Sequence, residues 1–350
     1  MAAGVRSALA LIAVVTAAPA PQLLFHITDP RIDEASGIAR GVASPGVVYV
    51  QNDSGDSARF FALDARTGET LATYTVPDAT NVDWEDIAVA RDRRGVPSVW
   101  LADIGDNDGR RPEIRVYRVD EPHVHAGGSA VTGAPEVWRL RYPSGPTDAE
   151  SLAVAPGGAG YIVTKALLGG STVYALPARP STGVQTLREI GRVQFEPTGT
   201  PGGPNRIGQL TATSAAFSAD GTVLAVRTYT DAYLWRVRDG DVVAALRGPP
   251  VRLALPAQPQ GEGIAVDGQR LLIDSEGTNS AVYAVPLPAL SPAAPSTRPA
   301  PSAQPAPSAA APAKPDEPNH TVLIAVGSGL VALVLIGLGL RRARRDGGAG

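Results

Sequence analysis

Residues 83–91 read Asp83-Trp84-Glu85-Asp86-Ile87-Ala88-Val89-Ala90-Arg91, an acidic start running into a short apolar stretch. The central motif, Glu85-Asp86-Ile87-Ala88, returns as Ser36-Gly37-Ile38-Ala39, Glu150-Ser151-Leu152-Ala153, Ser214-Ala215-Ala216-Phe217 and Glu262-Gly263-Ile264-Ala265. Recurrence at intervals of about 48 to 65 residues marks a repeat architecture. A second apolar run follows each copy: Val47 to Val50, Ser98 to Ala102, Gly160 to Val163, Thr222 to Val226 and Arg270 to Ile273. A third follows at Arg59 to Leu63, Glu113 to Val119, Thr172 to Leu176, Ala232 to Val237 and Ser280 to Val285. Four units add a fourth run, at Thr70 to Val76, Glu136 to Tyr142, Leu187 to Phe195 and near Val242 to Leu246. Short strands punctuated by turns such as Asp220-Gly221 and Asp267-Gly268 are an all-β signature. Four of them in about 50 residues make one β-propeller blade. The expected fold is therefore an all-β propeller of five blades. The alternatives are a sandwich, or a six-bladed ring with a unit hidden between Pro143 and Gln209. The fifth unit lacks its outer strand, and the run Leu23 to Thr28 belongs to no unit. That N-terminal run is expected to supply the strand and close the ring.

The chain has 350 residues and no cysteine. This excludes a disulfide scaffold, a thiolate metal site and a cysteine nucleophile. Its 38 glycines and 32 prolines suit a turn-rich body. The net charge is −3, and the repeats are more acidic than the whole because Arg6 and the arginines near the C-terminus lie outside them. Such a body is a poor match for nucleic acid, and no nucleic-acid partner is expected.

The two ends differ from the middle. Residues 1–20 read as a signal peptide: Arg6, the apolar stretch Ala8 to Val15, then small residues. Residues 21–287 are the expected propeller ectodomain, and 288–319 a Pro/Ala-rich, disordered stalk that cannot bury enough apolar surface to fold. A single transmembrane helix is expected over 320–340, contacting the membrane through the uncharged residues 321–340. Arg341, Arg342, Arg344 and Arg345 then begin a short basic tail, 341–350, on the cytoplasmic side. The expected placement is the cell membrane, single-pass type I, with the propeller extracellular.

Polar residues concentrate where each inner strand starts and each second strand ends. These places adjoin because the two strands run antiparallel. Ser36, Glu85, Glu150, Ser214 and Glu262 start the inner strands. Two residues earlier stand Glu34, Asp83, Asp148, Ala212 and Gln260. The second strands end in Asn52 to Asp56, Asp103 to Asn107, Thr164-Lys165, Arg227 to Tyr229 and Asp274 to Glu276. A propeller would gather all of these at one mouth of its channel. Carboxylates at close range disfavour each other's ionisation. Lys165 and Arg227 offer counter-charge, and a calcium ion, which takes six to eight hard oxygen ligands, offers more. The oxygen set Glu85, Glu150, Glu262, Asn52, Asp103 and Asp274 would suit it. The bland alternative is that these side chains cap strand ends by hydrogen bonding to backbone.

Other signals are weaker. Asp103 to Arg110 is acidic but fails the EF-hand template, and a turn explains it as well. His123 and His125 fall in a loop bounded by proline and glycine. Ser36 and Ser214 have no histidine in a matching position. Trp84, Trp100, Trp138 and Trp235 recur at strand positions and read as packing.

The motifs Asn52-Asp53-Ser54-Gly55-Asp56, Asp83 to Ala88, Asp103-Ile104-Gly105-Asp106-Asn107 and Asp148 to Leu152 resemble those of secreted actinobacterial propeller proteins of unknown function. More distantly, the Glu-Gly-Ile-Ala element is similar to that of SdiA-regulated, phytase-like and gluconolactonase-type propellers. Gluconolactonase-type relatives imply a channel glutamate that, with Asn and Asp, holds a divalent metal polarising the substrate; Glu85, Glu150 or Glu262 could take that place. Two functions stay open. One is a membrane-anchored binding or scaffold module whose acidic mouth takes a divalent cation and an unknown small molecule or cell-surface partner. The other is a metal-dependent hydrolase of a phosphate ester, lactone or similar ester, its catalytic candidates being Glu85, Glu150, Glu262, Lys165 and Arg227. No organic cofactor is expected.

Overall fold

The computed structural model describes residues 20–125 and 127–290. They form five sheets. Blade 1 runs from its inner strand Ala35–Arg40 through Val47–Asn52 and Arg59–Asp64 to Thr70–Thr75. Blade 2 is Trp84–Arg91, Pro97–Asp103, Ile114–Asp120 and Glu136–Arg141. Blade 3 is Ala149–Ala155, Ala159–Thr164, Gly170–Ala175 and Arg188–Gln194. Blade 4 is Ala212–Phe217, Val223–Thr228, Asp231–Arg236 and Val251–Ala254. Blade 5 is Gly261–Asp267, Arg270–Ser275 and Ser280–Pro286. Its outer strand is the N-terminal Gln22–Ile27, antiparallel to Ser280–Pro286 with Leu23 opposite Tyr283 and Phe25 opposite Val282. The ring thus closes as expected, with five blades among the described residues and no sixth between Pro143 and Gln209.

Two outer features depart from expectation. Val242–Leu246 is a helix, not a strand. The Asp241 carboxylate accepts the Ala244 amide at 2.9 Å, which satisfies an orphan donor of the first turn. Val251–Ala254 is the fourth strand instead. Two short strands were unforeseen. Gly128–Val131 and Gln185–Thr186 pair in parallel with the outer strands of the preceding blades, 1 and 2. Neither has an alternating apolar pattern, so its pairing is set by the open edge beside it.

Apolar side chains fill the gaps between blades. Trp100 and Trp138 meet at 4.9 Å between ring centroids within the cluster that joins blades 2 and 3. Trp84 packs in the cluster of blades 1 and 2, and Trp235 in that of blades 3 and 4. The tryptophans therefore pack blade to blade, as expected. The signal peptide, most of the stalk, the transmembrane helix and the basic tail read from the sequence lie outside the described residues, which include only residue 20 and residues 288–290 of those segments. Among the described residues no helix is long and apolar enough to cross a membrane.

The inner strands share a bulge, and the bulge builds the mouth. Pairing skips a residue between Ala35 and Gly37, Trp84 and Asp86, Ala149 and Ser151, and Ala212 and Ser214. It also shifts between Gly261 and Ile264. A bulged residue leaves the ladder and its side chain is re-aimed. The residues so released are Ser36, Glu85, Glu150, Thr213 and, in blade 5, Glu262 with Gly263. This corrects the alignment of blade 4: Thr213, not Ser214, stands level with Glu85. Ser36 Oγ donates to the Glu85 carbonyl at 2.7 Å, and Thr213 Oγ1 makes the same bond to the Glu262 carbonyl at 2.8 Å.

Candidate functional site

One level below the bulge the channel is closed by Asp86. The Ile87 amide donates to its Oδ1 at 2.9 Å, and the Leu152 and Ala215 amides to its Oδ2 at 2.8 and 3.1 Å. Ser214 Oγ lies 3.1 Å from both oxygens and accepts the Ile264 amide at 3.2 Å. One carboxyl from blade 2 thereby fastens blades 3 and 4 and, through Ser214, blade 5. Blade 1 comes close too: a Cβ on Gly37 would sit 2.7 Å from Asp86 Oδ1. Burial pushes the Asp86 pKa well above the ordinary carboxylate value, against the pull of the amides. Beyond this plug, the far halves of the inner strands line a separate cavity of about 290 Å³.

Above the plug lies the acidic mouth. Backbone bonds set its upper level: the amides of Asp53, Gly105, Lys165 and Glu276 donate to the carbonyls of Glu34, Asp83, Asp148 and Gln260 at 2.9, 3.2, 3.0 and 2.9 Å. Asp53, Asp83 and Glu85, from blades 1 and 2, offer carboxylate oxygens that all lie within 4.8 Å of one another. Gly105 makes the room, since a Cβ there would collide with the Glu85 and Asp83 carboxylates. Burial, and then the charges of Asp53 and Asp148, raise the Asp83 pKa to about 7. Glu85 is pushed well above its ordinary value by burial and Asp53, partly offset by Lys165. Glu262, from blade 5, is pushed up by burial and Glu276, with Lys165 and Arg227 pulling it down. Asp148 is raised by burial and likewise eased by Lys165. Lys165 itself contacts Glu150, yet Glu150 Oε2 remains buried with no hydrogen-bond partner. Carboxylates from three blades, 2, 3 and 5, thus share a single lysine.

The six oxygen ligands expected from sequence divide. Glu85, Glu150 and Glu262 reach the mouth. Asn52, Asp103 and Asp274 each bond backbone through one oxygen, while Asp103 Oδ2 and Asp274 Oδ2 are buried without a hydrogen-bond partner. The Glu34 amide donates to Asn52 Oδ1 at 3.4 Å, and Asn52 Nδ2 donates to the Arg31 carbonyl at 2.7 Å. Asp103 Oδ1 accepts the Asp83 amide at 3.1 Å and pairs with Arg111 at 2.7 Å. Asp274 Oδ1 accepts the Gly263 amide at 2.7 Å. Ser275, not Asp274, occupies the position in blade 5 that corresponds to Asn52 and Asp103. Of the two candidate cations, Lys165 stands in the mouth. Arg227 is fully buried between blades, donating to the Gly263 and Asp274 carbonyls at 2.6 and 2.9 Å and to Gln258 Oε1 at 2.6 Å. Burial lowers its pKa to about 10. The 103–110 segment is a self-satisfied turn, with Asp106 accepting the amides of Arg110 and Arg111 at 2.8 and 2.9 Å. His123 and His125 are exposed.

The ligand set read from sequence omitted Asp53 and Asp83, although both stood in the quoted motifs. The axial role of Asp86 was missed as well. A signal for it existed: at its level the other blades carry Gly37, Ser151, Ser214 and Gly263, all small. One large residue in a column of small ones marks a side chain that fills the shared space.

No protein-family model matches the chain, and no curated protein matches it in sequence. Among solved structures it is similar to the PQQ-bound form of aldose sugar dehydrogenase from Streptomyces coelicolor, at 11% identity and a TM-score of 0.43, over 77% of this chain and 99% of that one. At that distance the likeness extends no further than the fold class, and the chain is a five-bladed β-propeller on its own strand pairings.

Proposed function

We propose that the acidic mouth binds a divalent cation, calcium first, and that the chain is a cell-surface binding or scaffold module that uses the cation to hold an anionic small molecule or partner. The observation that carries this reading is the group Asp53, Asp83 and Glu85, whose carboxylate oxygens lie within 4.8 Å of one another. Buried carboxylates so close repel when ionised, and a bound cation removes that penalty. The donors are hard oxygens without histidine or cysteine, which suits calcium or magnesium and not zinc. The unpartnered Glu150 Oε2 is a further donor in the same mouth.

Two features favour a partner at this face. Val82, Leu167, Leu168 and Ile207 are exposed large apolar residues, and all sit in connections at the mouth end of blades 2, 3 and 4. Both chain ends leave at the opposite end: Gln22–Ile27 enters from it, and Ser280–Pro286 runs toward it. A hydrolase remains the second reading because Lys165 stands beside the carboxylates, where a cation pair would hold an anionic ester. In that reading Asp53, Asp83 and Glu85 would hold the metal, which would supply Lewis acidity. Lys165 would orient the anion, and Asp148, with its raised pKa, would take a proton from water.

The test is calorimetric titration of the purified chain with calcium and magnesium, beside Glu85→Gln and Asp83→Asn variants. Saturable binding that both variants weaken at least tenfold supports the cation site. Binding that is absent, or unchanged in both variants, overturns it. Turnover of phosphate and carboxylate esters by the loaded parent, lost in Lys165→Met, would favour the hydrolase over the module.

A further inference from the structure

Far from the mouth, the turns after the inner strands of blades 2 and 3 border a recess of about 470 Å³, a volume typical of small-molecule sites. Asp83 and Asp92 lie at opposite ends of the strand Trp84–Arg91, so the recess and the mouth are about 25 Å apart at ~3.3 Å per residue. Trp100 and Trp138 lie at its base, both buried in the cluster between blades 2 and 3. The Trp138 indole N–H donates to the Pro177 carbonyl at 2.9 Å, whereas that of Trp100 is buried without a partner.

The charges lining the recess are unequal. Arg93, Arg94, Arg118 and Arg179 stand against only two carboxylates, Asp92 and Glu136. Both acids are already engaged. Buried Arg118 pairs with Asp92 at 2.9 Å, with Glu136 at 3.1 Å and with a third carboxylate, Asp120, at 2.7 Å, and Arg94 pairs with Asp92 at 2.9 Å. The remaining two arginines are exposed. Arg93 reaches only the Ala178 carbonyl, at 3.4 Å, and the Arg179 guanidinium has no ion pair among the described residues. Guanidinium forks match the two oxygens of a carboxylate or phosphate.

We infer that this recess is a binding site for a small organic anion, its carboxylate or phosphate held by Arg93 and Arg179. The site is independent of the cation at the mouth. The probes are phenylacetate and phenyl phosphate, with 2-phenylethylamine as the cationic control, titrated calorimetrically into the purified full chain in EDTA. Saturable binding of at least one anion is expected, with none of the amine at the same concentrations. The anion that binds identifies the acid group the site prefers. The double variant Arg93→Gln/Arg179→Gln, altered only at exposed positions, is expected to keep the parent's melting temperature and to bind at least tenfold more weakly. The inference is overturned if neither anion saturates, if the amine binds as well as the anions, if the double variant binds like the parent, or if EDTA alone abolishes binding.

Discussion

Replacing Asp86 tests the architecture on which the mouth rests. Its carboxyl accepts three buried amides, Ile87, Leu152 and Ala215, at 2.9, 2.8 and 3.1 Å, and meets Ser214 Oγ at 3.1 Å. An unsatisfied buried donor costs about 1–3 kcal/mol. Asp86→Ala strands three amides and opens a void that water fills in part, so the net loss should be about 3–5 kcal/mol. At about 2–4 °C per kcal/mol for a chain of this size, the melting temperature should fall by roughly 6–20 °C. Asp86→Asn keeps the volume but has one acceptor oxygen. Whichever way the amide group is turned, its NH2 faces at least one backbone N–H, so a loss of about 1–3 kcal/mol is expected despite the removed charge. Urea and thermal unfolding followed by tryptophan fluorescence would measure both. An Ala variant within about 1 kcal/mol of the parent, or an Asn variant more stable than the parent, would show that the axial bonds do not hold the ring.

Three further outcomes follow from the same geometry. Gly105→Ala should displace Glu85 and Asp83, whose carboxylate ends lie where the new Cβ would go; calorimetry should show cation affinity reduced severalfold, with a stability change of about 1 kcal/mol or less because flexible side-chain ends can yield. In EDTA the melting temperature should fall as pH rises, because Asp83 keeps its proton in the folded chain up to about 7 but releases it near 3.8 when unfolded, and Asp274 does so at about 6. The folded state then binds the extra protons between pH 4 and 7, so stability is highest at the acid end of that window and is lost through it; calcium should restore the loss at pH 8, and a flat profile would count against the repulsive cluster. Deleting residues 20–27 removes the buried Phe25 and Ile27, roughly 3–6 kcal/mol of apolar burial, and bares the edge of Ser280–Pro286, so size-exclusion chromatography should show aggregates in place of monomer.

Ring closure was legible because two local signals agreed: a unit short of one strand, and an alternating segment with no unit. The levels of the mouth were legible in blades 1, 3 and 5, where a polar residue precedes a small one, and in blade 2 from the glutamate that leads its repeat motif. Blade 4 reads Thr213-Ser214, two hydroxyls side by side, and only the position of the bulge decides which faces the channel. Val242–Leu246 misled because β-branched valines suggest a strand, whereas Asp241 caps a helix there. Asn52 and Asp103 were assigned to a ligand because composition shows the type of a side chain and not its partner. Each lies at a strand end, where one side-chain oxygen accepts a backbone amide from the segment that leads into the neighbouring strand. Arg227 was placed at the mouth by its position near the end of a strand. The pleat turns alternate residues to opposite faces, and one step along the strand sends it between blades, against the carbonyls of Gly263 and Asp274.

Perfect repetition would have given five equal acids around an open pore, a ring that repels itself and selects nothing. The departures from repetition create the difference between the two ends of this channel. Blade 2 contributes Asp86 where the other blades keep small residues, and so closes the axis beneath the mouth. The same blade contributes Gly105 where the others carry Asp53, Lys165 and Glu276, and so admits two carboxylates into one space. Blade 3 alone contributes a lysine, and its charge bears on acids from blades 2 and 5 as well as its own. Blade 4 places Thr213, and blade 1 Ser36, at the level where blades 2, 3 and 5 place glutamate. Under the proposed function, Asp53, Asp83 and Glu85 would hold the cation and Lys165 would hold an anion beside it. Exchanging Gly105 or Lys165 for its counterpart in another blade should therefore alter binding far more than folding, whereas giving Asp86 the small residue of its neighbours should do the reverse.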